Sequence, residues 1–164
     1  MKRLLESIQE LCFCILTANF NAEKSMKIQK DIGEGFSVLS ESQLTRKLSN
    51  LGHRYPNTRA KYIVEARRYK NSLREIIRSF NNEDELREWL VKDVEGIGYK
   101  EASHFLRNIG YENYAIIDFH IIDLLTRYKL IERMGTLTKR KYLEIEDLLR
   151  KIARKLNLSL AELD

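Results

Sequence analysis

Apolar residues recur along this chain at intervals of three and four, the spacing that places them on one face of an α-helix. Leu4, Leu5, Ile8, Leu11, Cys12, Ile15 and Leu16 open the series. Met26, Ile28 and Ile32 predict a second helix with Asn21 as its N-cap, and "GEGFSVLS" interrupts the pattern. "SESQ" at 40–43 is a capping box for a helix through Leu48, whereas "GHRYPNT" (52–58), with the single proline, predicts a loop. Tyr62, Ile63, Ala66, Tyr69 and Leu73 resume a helical stripe. Asn82 is placed to cap "EDELREWLVKD", whose Leu86, Trp89 and Leu90 face one way. After a glycine turn, Ala102, Phe105, Leu106 and Ile109 form another stripe, which Gly110 ends as a C-cap. "YENYAII" reads as a connector, and Asp118 as the cap of a helix with Ile121, Ile122 and Leu125. Ile145, Leu148, Leu149, Ile152, Ala153 and Leu156 mark a last long helix. No convincing alternating stretch breaks the series. The expectation is an all-α protein of one domain, or of two small lobes sharing an interface.

Composition narrows the class. The chain has 164 residues, 32% charged and 43% hydrophobic, which suits a folded domain rather than a disordered one. No segment approaches the roughly 20 apolar residues of a membrane span, and "MKRLLESIQELC" lacks the build of a signal peptide. A cytoplasmic protein with no membrane partner is expected. The net charge of +5 raises the prospect of a nucleic-acid partner without establishing it. Cys12 and Cys14, two apart on a helix, do not share a face, so structural thiols are expected rather than a disulfide or metal pair. With no C-x-x-C pair or cysteine-rich tail, neither a zinc site nor an iron–sulfur cluster is indicated.

Ser159 and Glu162 form a capping box near the C-terminus, with Leu158 and Leu163 where a hydrophobic staple belongs. That signature starts a helix, so a further helical segment is expected beyond Asp164.

The candidate chemistry begins at "VEGIGYKEASHFL" (94–106). Gly96 and Gly98 between two apolar-striped helices permit a tight turn whose amides, at a helix N-terminus, can hold a phosphate. The same pair also suits a plain interhelical turn. Lys100 falls in the first turn of the following helix, where a cation is electrostatically misplaced. It reads as a solvated lysine, as a phosphate contact, or as an amine that burial and the helix dipole keep neutral often enough to attack carbon. "AIIDFHII" then puts Asp118 at a helix start, where capping and the stabilisation of a developing positive charge are compatible.

"VEGIGYKEASHFL" followed by "IIDFHI" resembles the helix–hairpin–helix plus aspartate signature of the DNA glycosylase (HhH-GPD) superfamily that includes endonuclease III. "ILTANFNAEKS" and "TRAKYIVEAR" resemble segments at matching places in that superfamily. The small size, the "GHRYP" loop and the missing cluster cysteines are most similar to the archaeal type 2 8-oxoguanine DNA glycosylases, over nearly the whole chain.

The resemblance implies a two-lobed helical fold with the helix–hairpin–helix at about 83–109. It implies excision of 8-oxoguanine from double-stranded DNA with β-elimination at the abasic site. Lys100 would attack C1′ and form a Schiff base, with Asp118 stabilising the oxocarbenium-like sugar and supporting lysine activation. Gly96, Gly98, Tyr99 and His120 would hold the DNA backbone, although His120 also suits packing beside the helix. Phe20 or Asn21 would fill the gap left by the flipped nucleotide. Arg54 or Tyr55 would press on the orphaned base, with His53 in the same loop. Asn21 could equally serve only as a cap, and His53 and Tyr55 only as exposed loop residues. A structural Na+ or K+ would sit on the main-chain oxygens of Lys92, Val94 and Ile97, with no other cofactor required. A monomer associated with the nucleoid is expected.

In the type 2 enzymes a segment beyond the last long helix contributes to base recognition. An endonuclease III-like enzyme for oxidised pyrimidines and a non-catalytic DNA-binding module stand as alternatives. The Lys100 and Asp118 pair argues against the module, which would not need it.

Overall fold

The computed structural model describes residues 7–163; Leu4 and Leu5 of the opening stripe lie outside them. Eleven α-helices and no strand occur among the described residues. They are α1 Ser7–Thr17, α2 Ala22–Ile32, α3 Gly35–Val38, α4 Glu41–Asn50, α5 Pro56–Ala66, α6 Leu73–Ser79, α7 Glu83–Asp93, α8 Tyr99–Asn108, α9 Phe119–Arg127, α10 Lys139–Leu156 and α11 Leu160–Leu163.

The caps fall where local chemistry places them. Asn21 Oδ1 accepts from Lys24 N at 2.8 Å, Ser40 and Gln43 form a reciprocal capping box, and Asn82 Oδ1 accepts from Asp84 N at 2.8 Å. Two expectations are corrected. The predicted 52–58 loop is shorter, because Pro56 starts α5 at a first-turn position that needs no amide. The stripe from Tyr62 to Leu73 is not one helix: it passes through a 3-10 turn at Arg67–Tyr69 before α6. Arg67 holds that turn against α3 by donating to Phe36 O at 2.7 Å and Leu39 O at 2.6 Å.

Two apolar clusters form the interior, one built from Leu11 to Tyr114 and the other from Ala115 to Leu160. Helix α1 is the axis of the first. Leu11 through Leu16 are all buried, because α2, α5 and α8 pack around it. This is why Cys12 and Cys14 are both buried and free although they point to different faces. Burial pushes the Cys12 thiol up to about 12, so both sulfurs serve as packing groups.

The two clusters are joined by a buried ion pair. Arg87 on α7 donates to both oxygens of Glu146 on α10, at 2.7 and 2.8 Å, and Glu146 Oε1 also accepts from Ala115 N at 3.0 Å. Both side chains are almost fully buried, so losing one partner strands a charge. Glu146→Ala is expected to lower stability by about 3–5 kcal/mol, read as a fall in the urea midpoint at unchanged slope. A loss within about 0.5 kcal/mol, the range for an unremarkable surface site, would contradict this.

At the C-terminal end, the predicted capping box is present: Glu162 N donates to Ser159 Oγ at 3.2 Å and Ser159 N to Glu162 Oε2 at 2.8 Å. Helix α11 is stitched back by Ala161 N to Glu112 O and by Arg107 to Ala161 O.

Candidate active site

The turn between α7 and α8 is a tight hairpin, with Ile97 N donating to Val94 O. Gly96 has φ +85°, and a Cβ there would stand 2.4 Å from Tyr62 Cδ2. Conformation and packing therefore both demand glycine. At Gly98 the backbone is ordinary, but a Cβ would stand 2.9 Å from Glu101 Oε2. Each glycine thus has a reason inside the protein. The Gly98 amide donates to Glu101 Oε2 at 3.1 Å, which leaves the first amides of α8, lacking intrahelical partners, as the free donors of this turn. Arg68 and Tyr69 pin the hairpin from behind by donating to Asp93 O at 2.7 and 3.0 Å.

Lys100 and Asp118 come together on one cavity of about 330 Å³, which Asn19, Glu101, Phe119 and Met134 also line. Asp118 caps α9, its Oδ1 accepting from Ile121 N at 3.0 Å. Its approach is fixed from α10. The Tyr142 hydroxyl donates to Ala115 O at 2.6 Å and accepts from Ile117 N at 3.3 Å, and Glu146 holds the Ala115 amide. Lys100 Nζ lies 3.2 Å from Glu101 Oε1. Among the described residues that is its ion pair, not one with Asp118.

The sequence-derived contacts separate into those that face outward and those the fold has used. His120 is exposed on the first turn of α9, as backbone binding requires, so packing beside the helix is not its role. Arg54 is exposed, and Tyr55 lies between the guanidinium groups of Arg54 and Arg59, at 5.2 and 5.3 Å. Asn21 is spent on its cap. Neighbouring Asn19, in the left-handed region at φ +53°, is the asparagine that reaches the cavity. Phe20 is half-buried against the His53 ring, 4.1 Å between centroids.

One expected DNA contact is corrected. His53 is 4% exposed: Nδ1 accepts from Tyr55 N at 3.1 Å, which makes Nε2 the donor to Leu16 O at 2.9 Å. It ties its own loop to the last turn of α1 and is too buried to meet DNA. Tyr99 donates its hydroxyl to Glu88, and its ring lies 5.7 Å from that of Tyr142. That half-buried ring joins the hairpin to α10.

Burial lowers the pKa of His53, and the Arg59 charge adds to this against the bond to Leu16 O. The unfolded imidazole gains a proton as pH falls through about 6.5 while the folded one resists, so this contribution is full above that pH and lost below it. The wild type is therefore expected to lose more stability between pH 7.5 and 5.5 than His53→Gln, compared by urea midpoints. Equal losses would contradict the assignment.

Residues the sequence reading missed include Asn19, Phe119, Arg59 and Glu101. Phe119 is 82% exposed at the cavity mouth, and Arg59 is buried, donating to Ala18 O at 2.7 Å. The Glu101 signal was available as glutamate at the third position of α8, the reciprocal half of a capping box.

A glycine hairpin in an all-α fold, beside a cavity shared by a lysine and a helix-capping aspartate, defines the class of helix–hairpin–helix DNA glycosylases. The family model described as 8-oxoguanine DNA glycosylase matches residues 4–158. The 8-oxoguanine DNA glycosylase/AP lyase of Methanocaldococcus jannaschii is 56% identical over 97% of this chain and 77% of its own. That of Korarchaeum cryptofilum is 54% identical over the same shares. The M. jannaschii enzyme solved in complex with a 15mer DNA containing 8-oxoguanine superposes with a TM-score of 0.93, covering 97% of this chain and 77% of that one. The 8-oxoguanine DNA glycosylase of Thermotoga maritima gives 0.88 at 43% identity, over 95% and 74%. The chain belongs to the 8-oxoguanine DNA glycosylase family.

Proposed function

We propose that this protein excises 8-oxoguanine from double-stranded DNA and cleaves the resulting abasic strand, with Lys100 as nucleophile. The observation that carries this is the shared cavity of Lys100 and Asp118 beside the hairpin, in a chain of this family. A nucleotide must leave the duplex before C1′ can be reached. Lys100 Nζ then forms a bond to C1′ as the bond to the base breaks, its electron pair leaving with the base. The Asp118 carboxylate, fixed by its capping bond, stabilises the positive charge that develops on the sugar. The bond from C1′ to the ring oxygen then opens, the oxygen taking a proton from Nζ, to give a protonated Schiff base; this makes the C2′ hydrogen acidic, and its removal with loss of the 3′ phosphate breaks the strand on the 3′ side.

The DNA would be gripped by the hairpin around Gly96 and Gly98, by His120, and by Arg54 and Tyr55 from the 53–55 loop. Phe20 and Asn19 border the space left by the flipped nucleotide. A Na+ or K+ ion on the carbonyl oxygens of Lys92, Val94 and Ile97 would bridge the hairpin to a phosphate. Among the described residues no group of three or more His, Cys, Asp or Glu side chains is arranged to hold a metal ion, and no helix is long and apolar enough to cross a membrane. The protein is expected to act as a monomer near the chromosome.

Borohydride trapping tests the reading. A covalent adduct is expected on duplex DNA carrying 8-oxoguanine and not on the undamaged duplex. Adducts confined to oxidised pyrimidines would redirect it to that substrate class, and no adduct on any damaged duplex would overturn it.

A further inference from the structure

We propose that Glu101 is the group that takes the proton from Lys100 and so generates the nucleophile, an inference that rests on the function proposed above. A lysine in the first turn of a helix enters the reaction as an ammonium ion unless something removes a proton. The carboxylate nearest to it is that of Glu101, with Oε1 at 3.2 Å from Nζ. Asp118, on the same cavity, caps α9 through Oδ1, and among the described residues the ion pair of Lys100 is with Glu101 and not with Asp118.

Glu101 is built for more than capping. Its Oε2 accepts the Gly98 amide at 3.1 Å, and that bond alone completes the cap. The other oxygen is thereby held at Nζ, on a side chain only 11% exposed. The absence of a Cβ at Gly98 makes this placement possible, since one would stand 2.9 Å from Oε2. The charged and titratable groups facing the pair are Arg59 on α5, Cys14 on α1 and Asp118 at the head of α9.

In the free protein the pair is an ion pair. A nucleoside entering the cavity displaces water, and desolvation disfavours two charges relative to a neutral acid and a neutral amine. The proton moves from Nζ to Oε1. The amine's lone pair forms the Nζ–C1′ bond as the bond to the base breaks. The expelled base anion then takes the proton from Glu101, which returns to its carboxylate.

Single-turnover trapping on 8-oxoguanine duplex tests this with Glu101→Gln and Glu101→Asp, alongside DNA affinity by fluorescence anisotropy. Glutamine keeps the shape and can accept the Gly98 amide, but it cannot take the proton. At neutral pH E101Q is expected to react about 10²–10⁴-fold more slowly with little change in affinity. Its rate should climb towards the wild-type value as the pH is raised and solvent removes the proton instead. E101D, a base on a shorter arm, should fall between the two and carries the test if E101Q folds poorly. A wild-type rate in the glutamine variant at neutral pH overturns the proposal. So does a deficit that is the same at every pH, which marks a merely structural role. The wild-type adduct is the control: its absence would defeat the glycosylase/lyase reading itself, whereas its presence with an unimpaired E101Q defeats only the role of Glu101.

Discussion

Lys100→Gln is expected to abolish the trapped adduct and strand cleavage, a fall of about 10³-fold or more, because no amine remains to attack C1′. The loss should be chemical rather than structural. Lys100 is partly exposed, and Glu101 keeps its bond to the Gly98 amide when the ion pair is lost, so no buried group is left without a partner. Against that small loss, the substitution removes a cation from a helix N-terminus, where positive charge is unfavourable. The two effects oppose each other, so the melting temperature should move by no more than a few degrees. DNA binding should weaken only slightly, since most of the affinity resides in many phosphate contacts. Full trapping in the glutamine variant would show that another amine is the nucleophile, and unfolding would show that Lys100 is needed for the fold.

The parts of this molecule that were legible in the sequence are those held by neighbours in the chain. The caps at Asn21, Ser40, Asn82, Asp118 and Ser159 depend on bonds across two or three residues, and each stands as its local pattern predicts. The Gly96 to Lys100 turn was legible for the same reason. What periodicity could not provide was Asp118 beside Lys100; only the resemblance to a known family joined them. The errors fall on long-range partners. His53 reads as a polar loop residue until its bond to Leu16, 37 positions away, is seen. The Arg87–Glu146 pair spans 59 positions, so nothing in the local pattern joins these two buried charges. Pro56 is a different error: a proline that breaks a helical pattern also starts helices, and the residues on its C-terminal side decide between the two.

Asp118→Asn separates the two tasks combined in one side chain. Asparagine is as good an N-cap as aspartate, so the bond to Ile121 N and the start of α9 should persist, with stability nearly unchanged. The negative charge is what disappears. If the carboxylate stabilises the positive sugar in the transition state, its loss should slow base excision by about 10²–10³-fold, equivalent to about 3–4 kcal/mol. DNA affinity should hold or rise, because a negative group leaves a surface that meets phosphates. Asp118→Ala should show the same chemical loss with about 1 kcal/mol of added instability from the missing cap. Comparing the two in single-turnover excision and in thermal unfolding distinguishes charge from cap. Near-normal excision by the asparagine variant would mean that Asp118 only starts a helix. Equal instability in both variants would mean that the capping bond needs the charge. A selective loss of excision in a folded, DNA-binding protein is the outcome expected of a carboxylate that the Tyr142 and Glu146 contacts hold on the cavity with Lys100.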